Sequence, residues 1–355
     1  MALGIDCAAM DLERIFFITR RRMLAGLGGA LSLPWAGAAP LPPVMRVGPG
    51  QKIKTLAAAA GAARDGMLIE VEAGDYVADV AVWPQSDLTL KAVGGGRVRL
   101  LANGASAQGK GIFVTTGERI RIEGFDFIGA TVADRNGAGI RLERGSLSLR
   151  DCTFMGNENG LLSSNDPAVR LEIEDCEFGP ILARAEGRNH NLYVGAIAFL
   201  KVTGSYFHQG QLGHLLKSRA AVNHIFYNRL TDEIGGRASY ELEFPNGGLA
   251  LVVGNVIQQS STTENPHLIS FGAEGYPAGR QQGLHLGNNT LIDLLPARGG
   301  GGSYLRVAPG PVQVRLINNV LAGNRHFASN AYWEQRNNHV VDLDEFVLAA
   351  RGNYG

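Results

Sequence analysis

The sequence predicts an all-β, single-domain parallel β-helix, a solenoid in which each turn of the chain adds short strands to the same sheets. One six-residue pattern recurs eight times between residues 122 and 321, with an apolar residue at its first and last positions. The copies follow one another at irregular intervals of 23 to 34 residues. Such spacing suits a solenoid whose loops differ in length better than a helical repeat array. Glycine is abundant, at 48 of 355 residues, as expected for many turns between short strands.

The fourth position of the pattern predicts how the turns stack. The copies read IEGFDF (122–127), LRDCTF (149–154), IEDCEF (173–178), VTGSYF (202–207), IFYNRL (225–230), VVGNVI (252–257), LGNNTL (286–291) and LINNVL (316–321). The first and last positions should stack inward as a continuous core. The last four copies carry asparagine at the fourth position, so we expect a column of asparagines at a bend, each amide bonding to its neighbour.

Two cysteines fill the same fourth position in adjacent copies, Cys152 and Cys176. Their α-carbons should therefore lie about 5 Å apart, within the range that a disulfide tolerates. In-register pairing makes the disulfide torsion awkward, so both a bond and two free thiols stay open. No cysteine pair has CxxC spacing, and a structural zinc site is not expected.

The N-terminus has the features of an export signal over residues 1–38. Arg20 and Arg21 belong to a segment that resembles the twin-arginine motif, an apolar stretch follows, and residues 36–38 read Ala-Gly-Ala, an A-x-A cleavage site. The apolar stretch is broken by Pro34 and is too short to span a bilayer. We therefore expect a periplasmic or secreted protein with no stable membrane insertion after processing.

A linker over residues 39–49 should lead into a β-helix domain over residues 50–355. The alanine-rich segment QKIKTLAAAAGAARD (51–65) favours a short helix that caps the open end of the coil. The formal net charge is +0, so the chain lacks the basic surface typical of nucleic-acid binding.

The order of this helix, the strand LIEVEAGDY (68–76) and the coils resembles the pectate-lyase-like right-handed β-helix superfamily, from residue 50 to about residue 340. The resemblance implies a right-handed coil. It also implies a carbohydrate-active protein in broad terms, without specifying a substrate.

A second strand follows each copy of the motif, and its outward residues predict a site. In HLLKSR (214–219), burying charge would be costly, so both cations should face out. The same alternation in NLYV (191–194) and SYELEF (239–244) directs alternate residues outward. Three successive turns then bring together Asn191 and Tyr193, Lys217 and Arg219, and Glu241 and Glu243, with His190 and His214 at the strand starts.

This patch has two interpretations. A ladder of exposed cross-strand ion pairs would contribute only about 0–1 kcal/mol per pair. A saccharide cleft explains why an aromatic residue, an amide, two cations and two acids meet on three consecutive turns. We favour the cleft, with a polysaccharide or oligosaccharide as the partner.

The chemistry that fits best is that of a polysaccharide lyase, which cleaves a uronate-containing glycan by β-elimination. Lys217 or Arg219 would remove the C5 proton, Tyr193 would protonate the leaving oxygen, and the second cation would hold the uronate carboxylate. The remaining residues of the patch would contact substrate, namely Asn191, His190, His214, Glu241 and Glu243. The two glutamates could also hold Ca²⁺ as hard oxygen ligands.

The segment from Lys217-Ser218 through Asn223 to Asn228 is similar to the chondroitinase B and alginate lyase family, in which a Lys-Ser pair begins a turn that carries two asparagines five residues apart. This partial resemblance implies that Lys217 is the base.

Two alternatives stay open. Glu241 and Glu243 have α-carbons about 6.6 Å apart if they share a face, and that spacing permits a glycoside hydrolase. A non-catalytic glycan-binding or scaffold solenoid could use the same groove without cleavage.

Overall fold

Three columns of short parallel strands run along the domain. The structure, a computed structural model, describes residues 41–182, 189–263, 265–295, 303–323, 327 and 330–346. The chain divides into the units Met1–Leu41 and Pro42–Gly355, and the β-helix belongs to the second. The predicted export signal (1–38) lies outside the described residues.

The described residues form 30 strands and two short helices. The first half contains β1 (Val44–Val47), α1 (Leu56–Ala62), β2 (Leu68–Val77), β3 (Ala81–Trp83), β4 (Thr89–Leu101), β5 (Gly111–Thr115), β6 (Ile120–Glu123), β7 (Phe125–Ile128), β8 (Ala138–Leu142), β9 (Ser146–Arg150), β10 (Thr153–Met155), β11 (Asn159–Ser163), β12 (Arg170–Glu174), β13 (Glu177–Phe178) and β14 (Leu192–Val194). The second half contains β15 (Phe199–Thr203), β16 (Tyr206–Phe207), β17 (His214–Ser218), β18 (Val222–Phe226), β19 (Arg229–Thr231), β20 (Tyr240–Phe244), β21 (Leu249–Val253), β22 (Val256–Gln259), β23 (His267–Phe271), β24 (Gly283–Gly287), β25 (Thr290–Asp293), β26 (Ser303–Val307), β27 (Gln313–Ile317), β28 (Val320–Ala322), β29 (Glu334–Arg336), β30 (His339–Val341) and a 3-10 helix (Leu343–Glu345).

The pairing is that of a parallel β-helix, which confirms the predicted fold class. One column is a nine-stranded sheet in the order β3-β5-β8-β11-β14-β17-β20-β23-β26. Two further columns, β6-β9-β12-β15-β18-β21-β24-β27-β29 and β7-β10-β13-β16-β19-β22-β25-β28-β30, belong to the 21-stranded sheet. The first strand, β1, pairs in parallel with β2. The first strand of the β-helix therefore lies inside the segment predicted as a linker (39–49).

The repeated motif forms the bend between the last two columns. Its third position is in the left-handed region in all eight copies, at Gly124, Asp151, Asp175, Gly204, Tyr227, Gly254, Asn288 and Asn318, and Asn337 continues the series in the next turn. Glycine, asparagine and aspartate tolerate this conformation, which explains the residue in every copy except the one with Tyr227. The predicted asparagine column is confirmed: the Nδ2–Oδ1 distances are 3.1 Å from Asn228 to Asn255, 3.0 Å from Asn255 to Asn289, 3.0 Å from Asn289 to Asn319, and 2.9 Å from Asn319 to Asn338.

The predicted cap is a short helix, α1, over the N-terminal end of the coil. Thr55 Oγ1 accepts a hydrogen bond from the Ala58 amide, and the Asp79 carboxylate accepts from the Leu56 and Ala57 amides. These bonds satisfy first-turn donors that have no partner inside the helix. Within the described ranges, no helix combines the length and hydrophobicity needed to cross a bilayer.

The two cysteines occupy equivalent positions on adjacent turns, as predicted. The Cys152 amide lies 3.4 Å from Cys176 Sγ, and both residues are buried free thiols. We therefore expect two free thiols when the purified, unreduced protein without residues 1–38, and so without Cys7, is unfolded and titrated with a thiol reagent. A titre of zero would show that the pair is bonded.

Candidate functional site

One outward-facing column of the nine-stranded sheet brings together three residues singled out from the sequence. Tyr193 on β14 pairs with Lys217 on β17, which pairs with Glu243 on β20. The residues before them, Leu192, Leu216 and Leu242, lie in the core. Strand alternation therefore directs the three polar side chains to the outer face.

Asn191 does not belong to this outer face, so its predicted outward orientation, on which the contact with substrate was based, is wrong. Two consecutive side chains face the interior at this point of each strand, as the core residues Leu215 and Leu216 show. Asn191 is at the register position of Leu215 and is fully buried. Its Nδ2 donates to the carbonyls of Phe178, at 2.7 Å, and His208, at 2.8 Å.

Glu241 also faces the interior, against the sequence prediction. It lies at the register position of Leu215 and Leu268, both core residues, and its side chain is 0% exposed. Burial, together with nearby Asp232 and Asp293, raises the pKa of Glu241 well above its ordinary value.

The opposite orientations of Glu241 and Glu243 remove two predicted roles. The two carboxylates cannot chelate one Ca²⁺, and they cannot flank one glycosidic bond as a hydrolase pair requires. Among the described residues, no group of three His, Cys, Asp or Glu side chains could hold a metal ion.

Glu243 is the buried carboxylate of the outer face. Its Oε2 lies 3.1 Å from Lys217 Nζ and 2.9 Å from His214 Nε2, and its side chain is 5% exposed. Burial raises the pKa of Glu243, but the contacts with His214 and Lys217 outweigh this effect and hold the pKa below its ordinary value. Glu243 is therefore a carboxylate that holds Lys217 and His214 in place.

Arg219 lies at the centre of a second group of contacts. Its guanidinium forms a two-pronged contact with Glu274, with Nη1–Oε2 at 2.5 Å and Nη2–Oε1 at 2.9 Å. Its Nε donates to Tyr193 Oη at 3.1 Å, and Nη1 donates to Asn246 Oδ1 at 2.6 Å. The bond with Glu274 outweighs burial and raises the pKa of Arg219, so this side chain is a permanent cation.

Lys217 connects the two groups, since its Nζ also lies 3.4 Å from Glu274 Oε1. Both cations were predicted to face out, but their side chains are only 13% and 17% exposed, because they are paired with Glu274 of loop 272–282.

The two histidines differ in position. His214 is buried and packs between the tilted ring of His190, at a centroid distance of 4.8 Å, and the edge-on ring of Tyr240, at 5.1 Å. It therefore positions Glu243 and does not form part of the surface that a substrate would meet. His190 is partly exposed, lies 5.2 Å from the Tyr193 ring, and its Nδ1 accepts the His214 amide.

Sequence reasoning missed three residues around the site. Glu274 and Asn246 lie in loops that carry no repeat. Arg306 on β26 pairs with Ser270, which in turn pairs with Glu243. Arg306 therefore lies in the same outer column as Lys217. Its Nη1 lies 3.4 Å from Tyr240 Oη. Aligning SYLRV (303–307) with HLLKS (214–218) position by position would have found Arg306.

The structure is similar to several solved proteins at low sequence identity. Pectin methylesterase from Aspergillus niger is 11% identical, with 86% of this chain and 87% of that chain covered and a TM-score of 0.37. Pectin methylesterase PemA from Erwinia chrysanthemi is 10% identical, with coverages of 84% and 93% and a TM-score of 0.40. The surface adhesin PfbA of Streptococcus pneumoniae is 11% identical, with coverages of 80% and 85% and a TM-score of 0.41.

No family model matches the sequence. No curated protein matches it either. The structural similarities, at these identities and TM-scores, assign no activity to this chain, and its function has to be argued from the site itself.

Proposed function

We propose that the outer face of the nine-stranded sheet binds a uronate-containing polysaccharide and cleaves it by β-elimination. The observation that carries this proposal is the convergence of Lys217 and Arg219 on one carboxylate, that of Glu274, beside the Tyr193 hydroxyl. Two fixed cations suit a uronate carboxylate. The predicted export of the chain would bring it to such a polymer.

The two cations would make the C5 proton of the uronate removable. Elimination builds negative charge on the carboxylate attached to C5, and preorganised cations stabilise that charge in the transition state. The C5–H electron pair becomes the C4–C5 double bond as the bond from C4 to the leaving oxygen breaks. The C5 proton passes to the Tyr193 oxygen, which enters the step as a phenolate beside Arg219, and Tyr193 then delivers that proton to the leaving oxygen.

Tyr193 is the proton-transfer group that this geometry favours. Its hydroxyl lies 3.1 Å from Arg219 Nε, at the edge of the cation pair, where the carbon next to a bound carboxylate would lie. Lys217, which the resemblance implies as the base, lies between Glu243 and Glu274. Both carboxylates hold its Nζ, so we assign Lys217 to carboxylate neutralisation.

The test is incubation with a panel of uronate polymers, recording the absorbance of unsaturated products. We expect Tyr193→Phe to reduce the rate of product formation at least about 100-fold, the lower range for a lost proton-transfer group. Affinity for the polymer should stay within a few-fold of that of the wild type. Tyr227→Phe is the matched control, because Tyr227 is exposed and lies on another face. Normal turnover by Tyr193→Phe would remove Tyr193 from the mechanism.

A glycan-binding module is the second candidate, favoured by the ion pairing of both cations. The same polymer panel separates the two functions. Binding without unsaturated products in every polymer would support the module.

A further inference from the structure

Glu274 is held as an acidic ligand would be held. Both of its carboxylate oxygens contact the Arg219 guanidinium, at 2.5 Å and 2.9 Å, and one also lies 3.4 Å from Lys217 Nζ. This two-pronged arrangement is the one by which arginine recognises planar carboxylates in general. Glu274 comes from loop 272–282, whereas both cations come from the sheet or its edge.

Arg219 is oriented by groups other than Glu274. Tyr193 Oη accepts from its Nε, and Asn246 Oδ1 accepts from its Nη1. Because these bonds lie on the wall of the site, the guanidinium would keep its direction if Glu274 left. The site is therefore preorganised for a carboxylate, and preorganisation lowers the cost of binding one.

Glu274 is also the member of the network that can leave most easily. Its side chain is 46% exposed, whereas that of Glu243 is 5% exposed. Its backbone is anchored separately, since its amide donates to the Pro245 carbonyl at 2.8 Å. A rotation of the Glu274 side chain would therefore uncover the cations without a movement of the loop.

If the Glu274 carboxylate left the site, another anion would have to take its place beside Arg219. Lys217 keeps Glu243 as a partner. Among the described residues, Glu274 is the carboxylate with which Arg219 pairs. An uncovered Arg219 would be a partly buried cation without an opposite charge, which is unfavourable, so an incoming anion restores neutrality.

We propose that Lys217 and Arg219 form a carboxylate-binding site that Glu274 fills in the absence of ligand, and that the carboxylate of an acidic sugar takes the place of Glu274. The inference rests on the proposed function for the identity of the sugar. Glu274 then determines specificity: it excludes neutral sugars, which cannot replace its charge, and it weakens the binding of acidic ones by competing with them.

The experiment compares the wild type with Glu274→Ala and Glu274→Gln, using a galacturonate trisaccharide and its methyl ester as calorimetric probes. If Glu274 occupies the site about nine-tenths of the time, removing it should tighten binding of the acid about tenfold, and binding of the ester should stay weak. The matched control is Asp87→Asn. It removes an equal charge from an equally two-pronged contact, with Arg119, on an early turn of the coil. This control should leave the affinity unchanged.

A second measurement uses no sugar. Arg219 should react faster with phenylglyoxal in Glu274→Ala than in the wild type, as read by peptide mapping. Equal reaction rates would overturn the inference.

The outcomes separate this inference from the proposed function. Product formation by the wild type without tighter binding by Glu274→Ala would overturn the role of Glu274 and leave the lyase intact. Tighter binding without unsaturated product in any variant would support the carboxylate site and overturn elimination. Failure of every variant to bind the acid would overturn both.

Discussion

Phe207→Ala is expected to lower the free energy of unfolding by about 3–5 kcal/mol, the usual cost of removing a buried aromatic side chain. Phe207 fills the last position of the repeated motif and is 0% exposed. Its ring stacks on Phe178 at 4.7 Å, Phe178 stacks on Phe154 at 4.5 Å, and Phe154 stacks on Phe127 at 5.0 Å. The truncation would leave a cavity at the end of this stack, and a closely packed coil cannot close it.

The matched control is Phe226→Ala, on the outer face of β18. Phe226 is partly exposed and lies beside Thr203 of the previous turn, so its loss should cost much less. Lys217→Ala would be a less suitable comparison, because Lys217 is paired with the buried Glu243. Chemical denaturation of the two phenylalanine variants gives the comparison. Equal midpoints would contradict the assignment of the motif's last position to the core.

The fold was predictable because its energetic requirements recur once per turn. Each turn must supply inward apolar residues, a left-handed residue before the bend, and a partner for the buried group at the bend. Asn289 and Asn319 show this most directly, since each amide bonds to the next one along the column. Such requirements leave a period in the sequence even when no two copies are identical.

The site was predictable only where strand alternation holds. It holds from Leu216 to Ser218, and Lys217 faces out as expected. It fails one residue earlier, because two consecutive side chains face inward there. Pairs of apolar residues such as 215–216 and 268–269 are the signal of this local geometry. Glu241-Leu242 occupies the same place, and alternation alone misassigned Glu241.

Glu274 could not have been predicted in this way. It lies in an irregular loop that has no counterpart in neighbouring turns, and its contact with Arg219 spans 55 residues of sequence. The contact depends on loop conformation and on the charge left unpaired on the sheet, neither of which leaves a period in the sequence.

The buried carboxyl group of Glu241 is energetically unfavourable in the core of the β-helix. Neither of its carboxylate oxygens accepts a hydrogen bond from another described residue. A buried polar group without a partner costs about 1–3 kcal/mol, and an ionised one costs several kcal/mol. The raised pKa keeps Glu241 protonated over a wider pH range than in the unfolded chain, and this limits the cost at acidic pH.

Glu241→Leu is therefore expected to stabilise the fold, by about 1–3 kcal/mol near neutral pH, since it places a leucine between Leu215 and Leu268 on the neighbouring turns. The opposite-face control on the same strand is Glu243→Leu. It should destabilise the fold because it leaves Lys217 and His214 without their carboxylate. Thermal unfolding of both variants would show opposite signs if the two side chains face opposite sides of the strand.

The pH dependence of Glu241→Gln gives the sharper test. Because the folded pKa of Glu241 lies above the unfolded value, its stabilising contribution is complete below the unfolded pKa and is lost as pH rises through the folded pKa. The wild type should therefore lose stability relative to Glu241→Gln as pH rises above about 4.5, the ordinary glutamate value. Asp232, whose pKa burial raises to about 7, changes in the same direction in both proteins and largely cancels in the difference. Parallel stability curves for the wild type and Glu241→Gln from acid to alkaline pH would mean that Glu241 reaches solvent or a partner, and that the interior assignment of its side chain is wrong.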